Sequence, residues 1–194
     1  MGLVKGPLLS IDARGKIANT LVFSGWKGLK TVRAYVVPAN PNSGAQQAQR
    51  GLLTAAVAWW HDVGYTVLDL AAWAFRASLA KSPRSGFNEF TSDHIAKALT
   101  SEDYGVLKDV TTGTVTTSGF HVLADGVGTN DYIVSVGTNP RALLTEFTAP
   151  AIAGAIDITV TGLTADTKYY FKVRCNEAAD KAETGVYTQA TAAA

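Results

Sequence analysis

Residues 163–175 read LTADTKYYFKVRC, and the alternation inside this stretch decides the fold. From Lys168 onward, Tyr169, Phe171, Val173 and Cys175 fall on one side of an extended chain, and Lys168, Tyr170, Lys172 and Arg174 on the other. A period of two predicts a strand with one face buried and one face wet. Residues 155–163 (AIDITVTGL) repeat the pattern, with Ile156, Ile158 and Val160 opposite Asp157, Thr159 and Thr161. Residues 131–136 (DYIVSV) and 185–190 add two more. Short strands separated by Gly, Thr, Asn and Asp turns predict an antiparallel β-sandwich over residues 105–194.

The first half has a different alphabet. All four tryptophans precede residue 75, threonine crowds the chain after residue 110, and the change places a domain boundary near residues 101–108. Residues 1–104 carry eleven basic and seven acidic side chains, and residues 105–194 carry six and nine. A short strand over residues 7–11, a turn at Asp12-Ala13-Arg14-Gly15 and a strand over residues 16–23 (KIANTLVF) predict a hairpin. After a reversal at Gly25-Trp26-Lys27-Gly28, residues 30–37 alternate, with Thr31, Arg33 and Tyr35 on one face and Val32, Ala34 and Val36 on the other.

Pro38 and Pro41 end the ladder, because each lacks an N–H to donate to it. Ser43 and Gln46 then have capping-box spacing for a first helix, whose apolar stripe is Ala45, Ala48, Leu52, Ala56 and Trp59. Thr66 and Asp69 cap a second helix with the stripe Leu68, Ala72, Phe75 and Leu79. Residues 82–86 (SPRSG) break it, and a short third helix is expected over residues 92–99. The expected class is an α+β N-terminal domain, a small antiparallel sheet plus three helices over residues 1–104, followed by the sandwich.

The run Leu163-Thr164-Ala165-Asp166-Thr167-Lys168-Tyr169, continued by Val173 and Cys175, resembles the corner between the fifth and sixth strands of fibronectin type III domains. The resemblance covers roughly residues 107–192. It implies a tyrosine corner at Tyr169, whose hydroxyl bonds back to the preceding turn. Ala165 stands where that family usually has proline, and Phe120 is the aromatic that substitutes for its second-strand tryptophan. Gly15-Lys16, Asn19, residues 21–24 (LVFS), Trp26-Lys27-Gly28, Val32-Arg33, residues 38–41 (PANP), Ala45-Gln46 and Gln49-Arg50 are similar to a family of small proteins of tailed bacteriophages and prophages. That resemblance implies a structural component of the virion and no enzymatic activity.

Composition narrows the alternatives. At 47% apolar and 17% charged residues the 194-residue chain has the makeup of a folded protein, and its net charge of +1 gives no global field for nucleic acid or an anionic membrane, so neither is an expected partner. The N-terminus lacks a signal-peptide core, so synthesis is expected in the host cytoplasm. Cys175 is the sole cysteine, and His61, His94 and His121 sit in no metal-ligand spacing, so no metal, cofactor or catalytic residue is expected. Asp125 to Asp131 reads as a hairpin turn, Asp69 as a cap, and Trp59, Trp60 and Trp73 as core.

Two candidate surfaces remain. Trp26, Lys27, Arg33 and Tyr35 are candidate assembly contacts, because a turn tip seldom displays tryptophan without something to cover it. Lys168, Tyr170, Lys172 and Arg174 form a candidate surface-binding face. The expected function is a structural protein in the virion of a tailed phage, a capsid decoration or head-surface protein ahead of a tail or neck component, present in many copies or as a homo-oligomer. The alternative is a carbohydrate-binding adhesin module that contacts host surface glycans.

Overall fold

A computed structural model of the chain describes residues 2–3, 14–26, 28–37, 39, 42–82, 84–100, 104–127, 129–177 and 180–194. The expected strand at residues 7–11, together with Asp12, Ala13, Lys27, Pro38, Asn40 and Pro41, lies outside the described residues.

The N-terminal sheet comprises β1 (Gly2–Leu3), β2 (Gly15–Ile17), β3 (Leu21–Trp26) and β4 (Leu29–Ala34) in the order β1-β4-β3-β2. The run expected as one strand over residues 16–23 is split. Ala18 (φ 44°) and Asn19 (φ 54°) both take the left-handed conformation, and the Thr20 N–H donates to the Ile17 carbonyl at 2.9 Å. Two consecutive positive φ values make the type I′ reversal whose twist suits a tight hairpin, and asparagine tolerates it well.

Three helices follow: α1 (Gly44–Asp62), α2 (Val67–Ser78) and α3 (Gly86–Leu99). Thr66 and Asp69 form the expected reciprocal capping box. The third helix begins six residues earlier than expected, because Ser85 acts as its N-cap, accepting from the Asn88 N–H at 3.2 Å. Gly86 is needed there for space: a Cβ would lie 2.8 Å from the Ala74 backbone nitrogen, so α3 could not approach α2 so closely. Phe90 is fully buried at the centre, ringed by Trp60 (5.1 Å between centroids), Trp73 (5.3 Å) and Tyr65 (5.8 Å). The expected stripe of α1 is buried only toward its C-terminal end, since Ala45 and Ala48 are exposed and Ala56 is buried. That of α2 is rotated: Leu68 is exposed, whereas Asp69, Ala72, Trp73 and Ala77 are buried.

The remaining strands are β5 (Lys108–Gly113), β6 (Phe120–Asp125), β7 (Asp131–Gly137), β8 (Thr145–Pro150), β9 (Ala155–Val160), β10 (Lys168–Cys175) and β11 (Tyr187–Ala190). They form a β5-β6-β9 sheet and a β11-β10-β7-β8 sheet, antiparallel throughout, in a fibronectin type III-like sandwich. Val122, Ile156, Ile158 and Val160 of the first sheet share one core with Val134, Val136, Phe171 and Val173 of the second. Phe120 begins the second strand of the sandwich, buried 5.6 Å from Phe171. The tyrosine corner is present: the Tyr169 hydroxyl accepts from the Thr164 N–H at 3.0 Å.

The expected division at residue 104 does not match the compact units, which are Met1–Ser43 and Gly44–Ala194. The physical reason is that α2 is built into the sandwich edge. In β5 the register shifts between Lys108 and Thr111, and Asp109 sits at φ 54°. This bulge turns two N–H groups away from the ladder. Both donate to the fully buried Asp69 carboxylate, Asp109 at 3.0 Å and Val110 at 3.3 Å, and the Tyr187 hydroxyl donates to it at 2.6 Å. The Val186 N–H donates to the Ala72 carbonyl at 3.1 Å, and a Cβ on Gly185 would collide with the Ala72 and Trp73 backbone. Among the described residues no helix is long and apolar enough to cross a membrane.

Candidate functional site

The pairing register assigns each residue of the N-terminal sheet to a face. Lys16 pairs with Val22, Val22 with Arg33 and Ser24 with Thr31, so these side chains share one face. A 2.9 Å hydrogen bond between the Ser24 and Thr31 hydroxyls agrees with that assignment. Tyr35 continues the same face, with the Lys16 ammonium 4.6 Å above its ring centroid. Lys16, Val22, Arg33 and Tyr35 line an open cavity of about 610 Å³.

The opposite face is mostly aliphatic and aromatic, with Lys30 at the end of β4. Ile17 pairs with Leu21, Leu21 with Ala34 and Phe23 with Val32. Phe23 is buried, but Ile17 is 39% exposed and Leu21 42%, and just past β4 Val36 is 70% exposed. Alternation thus gathers Lys16, Arg33 and Tyr35 on one side, beside Val22 and the 57% exposed Leu29, and Ile17, Leu21, Phe23 and Val32 on the other, beside Lys30.

Arg33 and Tyr35, named as candidate contacts from the sequence, therefore do meet on one face. Lys27 lies outside the described residues, and for Trp26 the structure gives only its backbone pairing with Leu29. Lys16 was missed. The signal was present in Asn19, whose tolerance of positive φ marks the reversal that puts Lys16 opposite Val22.

Charge follows the compact units rather than the composition break. Residues 1–43 carry six basic side chains and one acidic, a balance of +5, whereas residues 44–194 carry eleven and fifteen, a balance of −4.

The β10 ladder is largely occupied within the molecule. Tyr170 stacks on Phe75 of α2 with centroids 5.7 Å apart and rings 7° from parallel. Lys172 is 2.5 Å from Glu183, and Arg174 is 3.2 Å from Glu146. Lys168 lies 5.4 Å from the Tyr170 ring centroid, at the rim of a groove of about 470 Å³ between α2, β5 and β11. Glu183 also meets Arg76 at 3.2 Å and Lys97 at 3.3 Å, while Asp93 meets the same two cations. Burial alone would raise the Glu183 carboxyl, yet Arg76, Lys172 and Lys97 together hold it down at about 2. This network joins α2 and α3 to β10 and closes on itself, which is the behaviour of a structural clamp.

Among the described residues no arrangement of nucleophile and base emerges. Cys175 is buried among core side chains, and burial pushes its thiol up, away from the reactive thiolate. Among the described residues no group of three or more His, Cys, Asp and Glu side chains could hold a metal ion.

No protein-family model matches the chain, and no curated protein matches it. Among solved structures, the chain is similar to the FN5 domain of Drosophila Lar at 19% identity, over 45% of this chain and 96% of that one, with a TM-score of 0.36. It is similar to the fn3 domain of human collagen alpha-1(XX) at 19% identity, over 48% and 90%, with a TM-score of 0.35. It is also similar to PhoD at 13% identity and a TM-score of 0.39, over 44% of this chain and 19% of PhoD, so the chain spans about a fifth of that protein.

Proposed function

We propose that the chain is a structural, non-enzymatic component of a tailed-phage virion, docked onto the particle through its N-terminal sheet and displaying the helix–sandwich body. The observation that carries this reading is the apolar face formed by Ile17, Leu21, Phe23, Val32 and Ala34, much of it left in water. A 43-residue unit has too little interior to cover such a face by itself, so a partner surface completes it. The resemblance of residues 15–50 to tailed-phage proteins supports the virion as the source of that partner, a capsid, neck or tail protein.

Docking here is burial of area. Covering each exposed Ile or Leu contributes roughly 1.5–3 kcal/mol at most, and repetition on a symmetric particle raises effective concentration without stronger contacts. Within this reading a capsid decoration or head-surface role comes first, and a tail or neck component next. The β10 ladder gives the adhesin alternative little support, because three of its four residues are engaged by Phe75, Glu183 and Glu146. Mass spectrometry of purified particles of the encoding phage tests the proposal. The chain is expected at a defined copy number per particle, and its absence from particles defeats the reading.

A further inference from the structure

We propose that the polar face of the N-terminal sheet binds the phosphate backbone of nucleic acid. The whole-chain balance of +1 conceals a segment of 43 residues at +5, and a basic cluster on one compact unit is the electrostatic footprint of a polyanion site. Among the described residues no ion pair involves Lys16 or Arg33, so no carboxylate there neutralises either charge.

Lys16 and Arg33 flank Val22 in one row across β2, β3 and β4, which roots the two cations roughly 10 Å apart on neighbouring-strand spacing. Ser24, Thr31 and Tyr35 complete the face, and hydroxyl side chains beside Lys and Arg are the residue types that meet phosphates. Among the described residues no acidic side chain shares this face. A protein partner fits this face less well, because protein interfaces deplete lysine, and among the described side chains the aliphatic area beside the cations is limited to Val22 and Leu29. A membrane surface needs a broader apolar face beside its basic groups than Val22 and Leu29 supply. The inference is independent of the docking reading, which uses the opposite face. Cations and hydroxyls spread over a sheet face meet phosphate and sugar, so recognition is of backbone charge and not of sequence.

The test is fluorescence anisotropy of the full chain with a labelled 20-nucleotide single strand and a 20-base-pair duplex between 25 and 200 mM NaCl. Micromolar binding is expected at 50 mM salt, weakening about 30-fold by 200 mM, a log–log slope of about −2 to −3. The double substitution Lys16→Gln and Arg33→Gln is expected to flatten that slope by about 2, while the charge-preserving pair Lys16→Arg and Arg33→Lys retains it. Amide NMR shifts on adding the single strand to the unsubstituted chain guard against a folding artefact, and should centre on Lys16, Val22, Thr31, Arg33 and Tyr35. The proposal is overturned by no binding at 25 mM salt, by salt-independent binding, by shifts confined to residues 44–194, or by binding to anionic vesicles or to an acidic protein but to neither oligonucleotide.

Discussion

Replacing Asp69 by alanine should cost far more than a helix cap. The Asp69 carboxylate accepts from the Thr66 N–H at 3.0 Å and the Thr66 hydroxyl at 2.7 Å, and these cap contacts are worth about 1 kcal/mol. The same group accepts from Asp109 N–H, Val110 N–H and the Tyr187 hydroxyl, three donors that belong to the sandwich. Each lost bond costs about 1 kcal/mol net, and more where the orphaned donor stays buried. The sum is about 4 kcal/mol, in the range that only a named structural mechanism reaches. For a chain of this size it corresponds to a fall in Tm of roughly 8–16 °C. Urea denaturation followed by circular dichroism reads the change, and a double-mutant cycle with Tyr187→Phe isolates the link across 118 residues of sequence, with coupling of about 1 kcal/mol expected. A loss of about 1 kcal/mol with no coupling to Tyr187 would refute the claim that Asp69 joins α2 to the sandwich.

Other outcomes follow from the same contacts. Glu183 titrates at about 2 in the folded chain against an ordinary 4.5, so it contributes up to about 3 kcal/mol above pH 4.5. That stability should drain away as pH falls from 4.5 toward 2, and Glu183→Gln should flatten the acid limb of a stability–pH profile; an unchanged limb counts against the clamp. Gly185→Ala forces a methyl into the Ala72 and Trp73 backbone and should destabilise by about 1–3 kcal/mol in thermal unfolding, where a neutral substitution would mean that the strand and helix are less tightly apposed. Tyr169→Phe removes the bond to the Thr164 N–H and should cost about 1 kcal/mol with little change in the far-ultraviolet spectrum.

The strands that bury alternate residues were legible in the sequence. β9 and β10 follow a period of two, and β10 spans the very residues its pattern marks. β5 and β8 were not legible: KDVTTG and TEFTAP show no clean alternation, because β5 is bulged and β8 is half exposed along its length. The composition break near residue 104 marks a change from helix to strand, which is a local property. The compact division depends instead on Asp69 meeting Asp109, Val110 and Tyr187, contacts between residues far apart in the chain. The rotated face of α2 has the same origin, since a buried aspartate looks like a surface residue until its donors are known. At the candidate site, alternation alone put Arg33 and Tyr35 together. Lys16 joined them only through the reversal at Ala18 and Asn19. The β10 ladder was correctly read as one face, but its coverage by Phe75, Glu146 and Glu183 is tertiary.

We propose that residues 1–43 hold the chain on the particle, and the separate compact unit of residues 44–194 is expected to fold without them. It is tested most directly by supplying either the full chain or residues 44–194 to phage lacking the gene, and counting copies per purified particle by quantitative mass spectrometry. The full chain should be recovered at its natural copy number, and residues 44–194, soluble and cooperatively folded in the same cells, should be lost from particles. Equal incorporation of the two would contradict the account.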